Sequence, residues 1–89
     1  MKVKVRKNEN FVELNFPCYI RSKSGYHLYK LKSENEIIQI FEGAYPNQNY
    51  FHSSIVNVTM EIALQDGWEF TTEEEFWLML AKIFKSFGV

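Results

Sequence analysis

Thiolate or imidazole chemistry in this chain would have to be built from two histidines, His27 and His52, and one cysteine, Cys18. A reactive thiolate needs an accessible, electropositive setting with a base in reach. His27 could approach Cys18 across a hairpin. Cys18, however, falls on the apolar side of a predicted strand, where a small buried thiol is inert. A zinc site needs three or four converging ligands, which two separated histidines and a single cysteine do not supply. Glu73, Glu74 and Glu75 invite a paired-acid reading, but consecutive helical positions point in different directions. No catalytic residue, metal ligand or cofactor motif is assigned, and the chain is expected to be non-enzymatic with no small-molecule substrate.

Binding chemistry is denser. Residues 18–32, CYIRSKSGYHLYKLK, hold four Lys or Arg side chains and three tyrosines around a Ser-Gly turn. Tyr19 and Tyr26 with Arg21, Lys23, Lys30 and Lys32 are the types that stack bases and steer phosphates. Against a nucleic-acid grip stand a pI of about 6.1 and the absence of a cold-shock or RNA-recognition signature. A lysine-rich hairpin also keeps a sheet edge from aggregating. The formal net charge is −1, yet residues 1–32 sum to +6 and residues 33–89 to −7. The two halves either neutralise each other, within one chain or across a dimer, or present a basic face to an acidic partner.

The elements that position these groups follow from periodicity. Lys2–Arg6 alternates strictly, Val3 and Val5 on one side, which predicts a strand over 2–6. Lys7-Asn8-Glu9-Asn10 reads as a polar turn. Residues 11–21 alternate again, with Val12, Leu14, Phe16, Cys18 and Ile20 on one face and Pro17 marking an edge or bulge. A strand over 26–32 is expected to turn Tyr29 and Leu31 inward and Lys30 and Lys32 to water. Residues 36–42 are apolar on both faces, as in a central strand. Gly43–Ser53 reads as a loop whose rings lid the core. Residues 55–64 alternate with period two and are expected to be a fifth strand, broken at Asp66-Gly67.

Thr71-Thr72 followed by Glu73–Glu75 is a capping box opening a helix over about 72–87, with Gly88 past its end. At about 100° per residue, Phe76, Trp77, Met79, Leu80, Ile83, Phe84 and Phe87 share one sector. Leu78 is stranded among lysines. The fold class is therefore α+β, a four- to five-stranded antiparallel sheet with one C-terminal helix packed across one face. Eighty-nine residues suit a single domain, 1–89. With one cysteine there is no intrachain disulfide, so stability must come from packing or oligomerisation. No apolar run matches a signal peptide or membrane span; no membrane association is expected, and a reduced, cytoplasmic setting is. Asn57-Val58-Thr59 fits a glycosylation acceptor, relevant only to a secreted chain.

The stretch FPCYIRSKSGYHLYK, the Ile-rich strand after it and the ending WEFTTEEEFWLMLAKIF resemble small uncharacterised proteins of gut Bacteroidetes phages and mobile elements. The likeness spans about two-thirds of the chain. It implies a compact module that binds a host protein in an anti-defence or regulatory role, and transfers no functional residues. The reading is a small protein-interaction module whose partner is another protein or, as a homodimer, a second copy of itself. Its first contact set is Arg21, Lys23, Tyr26 and Lys30; its second is Trp77 and Leu78, which extend the apolar surface past the core. The alternative is a nucleic-acid-binding accessory protein using hairpin 19–32.

Overall fold

Alternating strands bury one face each, and here two separate layers use that rule. The computed structural model describes residues 2–7, 10–65 and 67–88. The turn expected at Asn8 and Glu9, and Asp66, lie outside them. Strands β1 (Lys2–Lys7) and β2 (Asn10–Asn15) pair antiparallel, Val5 opposite Val12 and Val3 opposite Leu14. They form a two-stranded sheet of their own.

The chain leaves this small sheet at Phe16-Pro17, a cis peptide. The single strand expected over 11–21 is thus two strands in different sheets. Pro17 offers no N–H to a ladder, so the pairing changes partner there. Strands β3 (Cys18–Arg21), β4 (His27–Ser33), β5 (Glu36–Phe41), β6 (Tyr50–Ile55) and β7 (Glu69–Phe70) make a five-stranded antiparallel sheet. Its order is β6-β5-β4-β3-β7, so β4 is the middle strand and β5 an interior one flanked by β6 and β4, in keeping with its doubly apolar sequence. Gly25, at φ 80°, closes the β3–β4 turn.

Two cores lie on opposite faces of the large sheet. On one, Ile20, Tyr29, Leu31 and Ile37 pack against Val5 and Leu14 of the hairpin, Val58 and Ile62, and Trp68. On the other, Leu28 and Ile40 pack against Phe76, Leu80 and Ile83. Tyr29 and Leu31 point inward as expected. Leu28 is buried too, because the helix covers its face, and Lys30 on that face is half-buried rather than fully in water.

The strand expected over 55–64 is replaced by helix α1 (Val58–Ala63). Asn57 caps it: its side-chain oxygen accepts from the Met60 N–H at 3.1 Å. Val58 and Ile62, one helical turn apart, fill the core, while Ile55, Met60 and Leu64 are left exposed. The period-two alternation favoured a strand; the Asn57 cap and the i, i+4 pair Val58/Ile62 fit the helix that forms instead.

The C-terminal helix α2 (Glu73–Ser86) starts on the expected Thr72 cap, one half of the expected capping box: Thr72 Oγ1 accepts from the Glu75 N–H at 3.1 Å. Thr71 also donates its hydroxyl to the Glu75 carboxylate. The buried sector is narrower than periodicity predicts. Phe76, Leu80 and Ile83 are buried, whereas Trp77, Phe84 and Phe87 remain about half exposed. The segment expected as a loop, residues 43–53, contains a 3-10 turn (Pro46–Gln48) and most of β6, and its rings do not lid the core.

Candidate interaction surface

Helix α2 lies across the sheet with Phe76 near β3 and Phe84 near β6, the ring of Phe76 against Tyr19 and that of Phe84 against Phe51. Its two flanks carry the second contact set in different company. Trp77 is 46% exposed and its indole N–H reaches the Glu73 carboxylate at 3.2 Å. The Lys30 ammonium sits 5.4 Å from the Trp77 ring and 5.9 Å from the Tyr19 ring. This is a cation held between two π faces, worth roughly 0.5–1 kcal/mol per ring at an exposed site. On the opposite flank Leu78 is 60% exposed. With Arg21, Leu28, Glu75, Met79 and Lys82 it lines a cleft of about 210 Å³.

The structure therefore joins Lys30 with Trp77 and Arg21 with Leu78, and separates the other two residues. Tyr26 borders a different cleft, about 290 Å³, with Phe41, Glu42, Gly43 and Ala44. Lys23 lies along Gly67, where a Cβ would come within 2.9 Å of the Lys23 Cδ. The cationic hairpin does not form one basic surface. Arg21 is bridged to Glu69 at 3.0 Å and Lys32 to Glu36 at 3.5 Å. The Arg21–Glu69 pair links the basic and acidic halves of the chain.

Strand β6 is a surface that sequence reasoning missed, since YFHSSI shows no apolar alternation. Three contacts set its position. The Tyr50 hydroxyl accepts from the Gln39 amide at 2.9 Å and lies 3.1 Å from His27 Nε2. With Gln39 donating to the oxygen, the Tyr50 proton is free to go to Nε2 of a neutral His27. The Phe41 ring packs between them, 4.5 Å from His27 and 5.4 Å from Tyr50. The preceding turn is tied to α2: Asn49 accepts from the Gly43 N–H at 2.8 Å and donates to Ser86 Oγ at 3.1 Å. Gly43 is obligatory there, because a Cβ would meet Gln48 Cβ at 2.4 Å. Trp68 was also missed. It is buried, with the Lys7 ammonium 5.8 Å from its ring, beside a cleft of about 400 Å³ between β1 and the segment after α1.

Burial pushes the Cys18 thiol up to about 11, so it is protonated at neutral pH. Cys18 pairs with Leu31, whereas His27 pairs with Phe41 beyond the far end of β3. The two do not form a catalytic pair. Burial also lowers His27 and raises Tyr29, the latter opposed by a hydrogen bond to Gln65 and reinforced by Tyr50 and Glu61. Among the described residues no group of three His, Cys, Asp or Glu side chains could hold a metal ion, and no helix is long and apolar enough to cross a membrane.

No protein-family model, curated protein or solved structure matches this chain.

Proposed function

We propose that this small α+β domain is a non-enzymatic protein-interaction module that docks a partner over the outer surface of α2. The supporting observation is that Trp77 and Leu78 stay exposed on the two flanks of a helix whose third side is fully packed, each flank rimmed by a cation, Lys30 or Arg21. Exposed Trp beside Arg or Lys is the composition of interface anchors. The Leu78 cleft is smaller than the roughly 300–1,000 Å³ of small-molecule sites. It suits one or two side chains of a protein. The resemblance to phage and mobile-element proteins makes a host protein the natural class of partner.

Affinity capture from the source cells tests this, with Trp77→Ala/Leu78→Ser as one control bait and Arg21→Glu/Lys23→Glu as another. Proteins retained by the wild type and lost from the Trp77/Leu78 variant are expected. Identical recovery by all three baits contradicts the reading. Nucleic-acid binding is the weaker alternative, because two cations of the 19–32 hairpin are already matched by Glu69 and Glu36. Binding of single-stranded DNA that weakens steeply with salt would favour it instead.

A further inference from the structure

Strand β6 forms one edge of the sheet, hydrogen-bonded to β5 on its inner side, with no strand among the described residues on its outer side. A free edge is a row of unpaired N–H and C=O groups, and folded proteins blunt it with charge, proline, a bulge or a cover. The strand Tyr50–Ile55 has no charged residue and no proline, and its register against β5 runs without a bulge from Tyr50 to Ile55. All its residues but Ser54 are exposed.

The side-chain pattern is self-complementary. Phe51, Ser53 and Ile55 fall on the α2 side of the sheet, since Phe51 pairs with Ile40 and meets Phe84. Phe51 is 42% exposed and Ile55 88%. They stand two residues either side of Ser53. A two-fold axis through Ser53 places Phe51 of each copy opposite Ile55 of the other, and His52 opposite Ser54. Antiparallel partners directly opposite point to the same face, so each Ile55 enters the apolar corner of the other copy's Phe51 and Phe84. No charges are opposed across this edge. An unrelated strand would have to reproduce the spacing by chance; a second copy carries it by symmetry.

We propose that a second copy of this chain pairs antiparallel along β6, with the two-fold axis at Ser53, making a continuous ten-stranded sheet. The proposal is independent of the α2 docking surface, whose anchors Trp77 and Leu78 lie outside this contact.

Sedimentation equilibrium of the full chain tests the assembly, and disulfide trapping tests the register. A species of twice the 10.6 kDa chain mass is expected. Ser53→Lys sets two ammonium groups opposite each other on the axis and should raise the dimer dissociation constant by roughly tenfold or more. Circular dichroism should show its fold unchanged, since position 53 is exposed. Opposed Cα atoms at the axis lie about 4.5–5.5 Å apart, within disulfide range, so Ser53→Cys should cross-link under mild oxidation while Ser54→Cys and His52→Cys should not. A wild type that stays monomeric at high concentration overturns the proposal. So does a dimer insensitive to Ser53→Lys, or a cross-link preferred by His52→Cys.

Discussion

The two edges of the large sheet are built in opposite ways. At one, β7 is only two residues long, its Glu69 is bridged to Arg21 of β3, and the chain turns at once into α2. At the other, β6 is six residues long and carries no charge. A short, charged edge resists addition of a further strand, whereas a long, neutral one invites it. The lysines that sequence reasoning treats as edge protection are in the β3–β4 turn (Lys23) and on β4 (Lys30 and Lys32), not on β6. β4 is the middle strand of the order, so its lysines guard no edge.

Helix α2 spans this difference, so equivalent substitutions along it should sharpen it. Phe76→Ala, under the protected edge against Tyr19, should cost about 3–5 kcal/mol of folding stability, read by chemical denaturation. Phe84→Ala at the β6 end, where the ring is already half exposed, should cost well under half of that. Equal losses would mean that the helix seals both ends alike. Thr72→Ala removes the cap at the protected end and should cost about 1 kcal/mol. Glu69→Gln leaves Arg21 unpaired, but both side chains are largely in water; its effect should stay below about 1 kcal/mol.

The remaining effects are read by titration. Because burial holds folded His27 below its ordinary 6.5, the unfolded chain takes up a proton first as pH falls. His27 therefore lowers stability progressively below pH 6.5, down to its folded pKa. His27→Gln should flatten thermal stability over that window, and an unchanged slope would mean that folded His27 is not shielded from water. Cys18, with its thiol raised, should alkylate slowly at neutral pH and rapidly only once the chain is unfolded.

Much of this fold was legible from local pattern. Strict alternation placed β1, a run apolar on both faces placed β5, and Thr72 with Glu75 placed the start of α2 to within a residue. What was not legible depended on which face each element covered. Leu28 and Lys30 alternate with Tyr29 and Leu31, and only the presence of a layer on each side of the sheet explains why both Leu28 and Leu31 are buried. Val56, Val58, Met60 and Ile62 fit a strand as well as a helix until the Asn57 cap and the i, i+4 pair Val58/Ile62 are weighed together. The proposed contact residues were half legible. Trp77 and Leu78 stood out as surplus to the core, but the pairing of Arg21 with Glu69 joins residues 48 positions apart, which no spacing rule reaches.

Hydrogen exchange along β6, measured residue by residue at high and low protein concentration, tests the open edge most directly. The amides of residues 51–55 that do not bond to β5 should be protected at high concentration and exchange freely on dilution, while β4 and β5 stay unchanged. Exchange in β6 that is independent of concentration would contradict the account.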